Sequence, residues 1–175
     1  MPRRNVSRPA NSAQEAARSF LINDQMNQLL FDHLDPQAWR AKLAGIKGRT
    51  IADIFSHVHN MRCKWLRLSA PHLKRPKRLN RANCTPKQMQ RALAESALLC
   101  SEMLEQALAS PGKVKFFLRD GWARPWKPNT QMLAYMIAHE AHHRGQVCML
   151  AHQLGFRLPV TVGAGMWNWE KLAKK

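Results

Sequence analysis

A chain of 175 residues, 45% of them hydrophobic, is long enough to bury one real core and reads as a single domain. Its formal net charge of +17 predicts adhesion to polyanions at low salt. No apolar run is long and charge-free enough to span a bilayer, and four cysteines without a Cys-x-x-Cys pair exclude a disulfide framework.

Residues 1–12 are polar and basic and read as a flexible tail ahead of a domain at 13–175. Met1 to Arg8 carries charge with no apolar segment after it, so no secretory leader is expected and the chain reads as cytoplasmic. A first helix is predicted from Ser12, an N-cap candidate with Glu15 three residues later. It carries Ala16, Phe20, Asn27, Leu30, Phe31 and Leu34, and Asp35-Pro36 ends it. A connector over 36–49 contains Gly45 and Gly48, and is long enough to cross the length of a helical bundle and leave its flanking helices parallel.

The second helix is predicted to start at Thr50, with Asp53 at its third position. Its stripe of Ile51, Ile54, Val58, Met61, Trp65 and Leu68 is the cleanest amphipathic pattern in the chain. Pro71 and a dense basic segment follow as a loop. That segment contains Lys74, Arg75, Lys77, Arg78 and Arg81. It could grip phosphates, but it lacks interleaved aromatics for base stacking and reads first as a solvated loop.

Thr85-Pro86 predicts the start of a third helix, which carries Met89, Leu93, Ser96, Ala97, Cys100, Met103, Leu104 and Ala107 and stops near Ser110-Pro111-Gly112. A loop with Phe116, Phe117, Trp122 and Trp126 leads to a fourth helix from Thr130 to Leu154, with Gly155 as its C-terminal signal. A tail with Pro159, Trp167 and Trp169 closes the chain. Cys63, Cys84, Cys100 and Cys148 read as free thiols, all but Cys84 within helical patterns. Four helices of bundle length and no alternating strand predict an all-α four-helix bundle.

The richest segment is Ala138 to Gln146 on the fourth helix. His139 and His143 stand four apart and so project from one face. The apolar stripe there is Leu133, Met136, Ile137, Val147, Ala151 and Leu154, and His143, Glu140 and Arg144 fall within it. Ionisable groups in a core-facing stripe are costly unless paired or bound, so the cluster is a site candidate. Two imidazoles can share a metal, and a third ligand could come from His57 or His59 on the second helix. These two flank its apolar stripe on opposite edges, and periodicity does not choose between them.

Three neutral imidazoles with an open position suit a catalytic metal, and the ligand type permits zinc, nickel, iron, cobalt or copper. Glu140 and Arg144, four apart, predict an ion pair; Glu140 could instead orient a ligand imidazole. His142 lies on another face nearer solvent, and Gln146 one turn beyond His143 could line the pocket. His139-Glu-Ala-His-His143 also satisfies the His-Glu-x-x-His pattern of zinc peptidases. The context is poor for that reading: Gln146 and Met149 stand where a metzincin needs glycine and histidine.

The pattern Thr50-Ile-Ala-Asp-Ile-Phe-Ser-His57-Val-His-Asn-x-Arg, followed by His139-Glu-Ala-His-His143-Arg-Gly-Gln146, resembles the DinB-like family of four-helix-bundle metalloproteins, distinct from the DNA polymerase of the same name. The resemblance covers nearly the whole chain and includes the closing Trp167-Asn-Trp169. It implies an up-down-down-up bundle and one divalent metal, zinc or nickel foremost, with iron, cobalt, manganese or copper also admitted. Carried over by position, the ligands are His57, His139 and His143. The wider superfamily includes transferases that use low-molecular-weight thiols such as bacillithiol and mycothiol, and dimers are common in it. The expectation is therefore a metal-dependent transferase or hydrolase, with a small thiol as a partner. Two alternatives stand beside it. One is a basic nucleic-acid-binding protein with the metal-stapled bundle as scaffold, which the charge favours. The other is a metal-sensing or stress-response protein without catalysis.

Overall fold

The structure is a computed structural model that describes residues 12–45, 47–116 and 127–174. The expected basic tail falls almost wholly outside these residues, as do Phe117, Trp122 and Trp126. Among the described residues the chain is all-helical, with no strand. Four long helices carry the fold: α1 (Ser12–His33), α2 (Ile51–Ser69), α3 (Pro86–Ala109) and α4 (Thr130–Gln153). α1 packs most extensively on α3, and α2 lies against both α3 and α4.

Local chemistry sets the helix ends. Thr50 accepts from the Asp53 N–H at 3.1 Å while Asp53 accepts from the Thr50 N–H at 3.0 Å, a reciprocal cap for α2. Thr85 and Gln88 repeat the arrangement at α3, with Pro86 in the first turn. α4 ends in a Schellman motif: Gly155 takes φ +84°, and Phe156 N–H bonds to the Ala151 carbonyl at 2.9 Å. Ser12, expected as a cap, is instead the first residue of α1.

Two segments read as irregular are helical. Pro36–Arg40 forms a 3-10 helix capped by Asp35, whose side chain accepts from the Gln37 N–H at 2.8 Å. It buries Trp39 against Phe31 and Phe55. The C-terminal tail forms α5 (Val160–Trp167) and α6 (Trp169–Leu172). These pack on α1, where Leu172 joins Ile22 and Met26. A Cβ at Gly165 would stand 3.1 Å from Leu29 Cδ2, which is why α5 can lie so close.

The predicted α2 stripe is only part of what that helix buries. Ile51, Ile54, Val58 and Trp65 are buried, but so are Phe55, His59, Arg62 and Leu66 on the remaining faces. The apolar core is divided. One cluster gathers Phe31, Trp39, Ile51, Phe55, Val58, Val147 and Ala151. The other gathers Phe20, Trp65, Leu66, Met103, Met132 and Met136. Arg62 lies between these two clusters along α2, and His139, Glu140 and His143 lie between them along α4, so a polar layer separates two oily ones.

Candidate metal centre

His57 comes from α2, and His139 and His143 come from consecutive turns of α4. Their ligand nitrogens all lie within 4.8 Å of one another. His57 Nε2 and His139 Nε2 are 3.2 Å apart. Two imidazoles bound at ~2.0–2.1 Å to one ion stand about 3–3.5 Å apart, so this pair already has ligand spacing. The His143 ring is centred 4.7 Å from that of His57 and 4.6 Å from that of His139. The donor set fits a divalent ion that accepts imidazole.

His143 Nδ1 donates to Gln146 Oε1 at 2.8 Å, and Gln146 Nε2 donates to His142 Nε2 at 3.1 Å. The first bond occupies Nδ1 and leaves Nε2 for a metal, the usual device for fixing a ligand tautomer. Burial holds the His143 pKa below its ordinary value, with the Gln146 bond acting in the opposite direction. The neutral imidazole, which is the ligating form, is favoured. The Trp65 ring meets His139 edge-on at 5.4 Å, Tyr135 stacks on His139 at 6.2 Å, and the two rings meet each other at 6.2 Å.

Beneath the histidines lies a buried charge network. Glu140 takes Arg62 with both oxygens, Nε to Oε1 at 2.7 Å and Nη2 to Oε2 at 2.6 Å. Arg62 also meets Asp24 at 2.8 Å, and it has no exposed surface. Asn23 and Asn27 from α1 donate to Glu140 Oε2 at 2.8 and 3.1 Å. Burial disfavours the Arg62 charge, but Glu140 and then Asp24 more than offset it, so the guanidinium stays charged. Burial pushes the Asp24 carboxyl up, against the pull of Arg62. Since Glu140 stands between His139 and His143 in sequence, the network clamps the turn that carries them.

The ion pair that Glu140 makes thus runs across helices to Arg62, where the sequence pointed to Arg144 four residues on. Arg144 donates instead to Asn23 Oδ1 and Asn27 Oδ1, each at 3.1 Å. His59 does not join the site. It is fully buried, donates from Nε2 to the Lys77 carbonyl at 2.8 Å and meets Ser96 Oγ through Nδ1. His142 is exposed, as its position on the helix implied.

The basic residues of the loop, Lys74, Arg75, Lys77, Arg78 and Arg81, are all exposed, as a solvated loop implies. Arg75, Arg78 and Arg81 line a groove of about 710 Å³ that also contains His57. Lys74 and Lys77 line a separate hollow with Glu95, to which Lys74 is paired at 3.4 Å. Sequence reasoning missed Asn23, Asp24 and Arg62 as parts of the site. A signal was present: polar residues at positions 23, 24 and 27 interrupt the apolar face of α1, where nothing else demands them.

A sequence model of the DinB family matches residues 7–171. The uncharacterized protein YrdA of Bacillus subtilis (strain 168) is 39% identical over 44 residues, 25% of this chain and 26% of that protein. The matched stretch thus spans about a quarter of either chain. No solved structure matches.

Proposed function

We propose that this chain, which belongs to the DinB family, is a divalent-metal protein that carries out metal-dependent transfer to a low-molecular-weight thiol. The four long helices are read as an up-down-down-up bundle, with the site between them. The observation that carries the reading is the convergence of His57, His139 and His143 within 4.8 Å. Those three side chains would hold the ion, zinc or nickel foremost. A bound ion would supply Lewis acidity toward a thiol or water near neutral pH.

The chain's own residues do the positioning. Gln146 turns His143 toward the cluster, and the Arg62–Glu140 pair fixes the α4 turn. Trp65 and Tyr135 wall His139 off from water on one side. The groove contains one cysteine, Cys63, whose thiol burial pushes up to about 11. A thiol with that pKa is almost wholly protonated at neutral pH and makes a poor nucleophile. The thiol in a transfer reaction would therefore be a cosubstrate.

The test is metal content followed by turnover. About one metal per chain, lost in His57→Ala and His143→Ala, together with metal-dependent consumption of a small thiol and an electrophile, supports the proposal. Absence of metal after loading with zinc, nickel or iron would refute it. So would absence of turnover by the loaded protein across a broad thiol panel, which would leave the metal-sensing reading.

A further inference from the structure

The groove beside His57 has α2 as its floor: Asp53, His57, Asn60, Lys64 and Arg67 line it at three- and four-residue spacing, and so lie along one face of the helix. The basic loop is the facing wall. Arg49, Lys64, Arg67, Arg75, Arg78 and Arg81 line the groove, against Asp53 as the sole carboxylate among the described residues of the lining. That carboxylate is committed elsewhere. It accepts from the Thr50 N–H and hydroxyl at 3.0 and 2.8 Å and faces Arg81 at 3.9 Å. Among the described residues no carboxylate pairs with Arg67, Arg75 or Arg78.

The wall is anchored through its backbone. Asn60 donates to the Leu79 carbonyl at 3.2 Å and accepts from the Leu79 N–H at 3.3 Å. His59 holds the Lys77 carbonyl, and Arg40 holds the carbonyls of Arg81 and Cys84. Like charges fixed along one groove repel one another and focus a positive potential inside it. An anion entering would relieve that repulsion, and guanidinium groups match the oxygens of a phosphate or carboxylate in paired hydrogen bonds.

We propose that this groove binds a small molecule carrying a doubly charged anion, a phosphate monoester or a dicarboxylate, gripped by Arg67, Arg75 and Arg78 while the rest of the molecule reaches His57. The inference rests on the metal-site reading only for what lies at the His57 end; the grip on the anion needs no metal. A small ligand fits better than a nucleic acid. Among the described residues His57 is the sole aromatic ring in the groove lining, and one ring is no platform on which successive bases could stack.

The test is calorimetric titration of the full-length protein at physiological salt with phenyl phosphate, succinate and a short single-stranded oligonucleotide. It compares wild type, Arg75→Ala/Arg78→Ala and the equally charge-reducing Lys171→Ala/Lys174→Ala near the C-terminal end of the chain. A dianion should bind wild type and be weakened about tenfold or more by the first pair, as expected on losing hydrogen bonds to a charged group. The C-terminal lysine pair should leave binding unchanged. Whichever of phenyl phosphate and succinate binds tighter names the anion. Failure of both to bind overturns the proposal, as does equal weakening by the two double variants, which would mean net charge alone. An oligonucleotide that neither small anion displaces also overturns it, in favour of nucleic acid. Dianion binding by a wild type that takes up no metal would refute the metal reading alone.

Discussion

Arg62 and Glu140 are 78 positions apart in sequence and meet in a two-pronged, fully buried ion pair, with N–O distances of 2.7 and 2.6 Å. The pair ties the middle of α2 to the turn of α4 that carries His139 and His143. Removing Arg62 would strand Glu140 without water, and removing Glu140 would leave the buried Arg62 with Asp24 alone. Glu140→Ala should destabilise the protein by about 3–5 kcal/mol, as for other broken buried pairs. Glu140→Gln should cost less, because its carbonyl still accepts from Arg62. Urea unfolding of both variants tests this, and a Glu140→Ala loss below about 1 kcal/mol would show that the pair is not what holds the layer together.

The two histidines of α2 should separate cleanly. His57→Ala should lose bound metal, whereas His59→Ala should keep it and lose stability instead, by about 1–3 kcal/mol for stranding buried partners. Stripping metal with a chelator should lower the melting temperature of wild type, because a ligand bound only to the folded state stabilises it by mass action. Elemental analysis beside thermal melts reads both effects. Metal loss in His59→Ala, with His57→Ala still loaded, would reverse the assignment.

Gln146 offers a finer test. Its carbonyl oxygen takes the Nδ1 proton of His143 at 2.8 Å. Gln146→Ala should weaken metal affinity by about 10–100-fold without abolishing binding, the usual effect of losing a partner that orients a ligand. Competition with a chromogenic chelator measures it. Unchanged affinity would make the contact incidental.

The cap of α2 predicts an acid-dependent stability. Burial raises the Asp53 pKa, but the bonds from the Thr50 backbone and hydroxyl outweigh it and leave the pKa below the usual 3.8. A carboxylate with a depressed folded-state pKa contributes stability that is present above its unfolded value and lost as pH falls through the folded one. Thr50→Ala should therefore cost about 1 kcal/mol at neutral pH and progressively less below about pH 4. A cost that stays constant into that acid range would mean that the carboxylate plays no part in the cap.

Burial should also silence the groove cysteine. With its thiol pushed up to about 11, Cys63 should resist iodoacetamide at pH 8 in the folded protein, and its labelling should climb as pH approaches that value. Mass spectrometry of the labelled protein reads this site by site. Rapid labelling of Cys63 at pH 8 would restore it as a candidate nucleophile and remove the argument for an external thiol.

What the sequence determined by itself is local. The caps at Thr50 and Thr85, the stop at Gly155 and the stripes of α2 and α4 are written in spacings of a few residues, because helix periodicity and capping are settled within a turn or two. The pairing of His139 with His143 follows from the same periodicity. Short helices such as Pro36–Arg40 and Val160–Trp167 were not legible, since few turns leave too little periodic pattern to read. Tertiary structure alone decided which way each remaining face turns. His57 and His59 flank one stripe almost symmetrically, and residue spacing left the choice between them to family likeness. Their roles separate because α2 is rotated so that Arg62 reaches Glu140 and His59 reaches the Lys77 carbonyl, which leaves His57 facing α4. Contacts between residues so far apart leave no periodic trace in a single sequence. The basic loop's solvated side chains were legible in the sequence, but for the same reason the pinning of its backbone to Asn60, His59 and Arg40 was not.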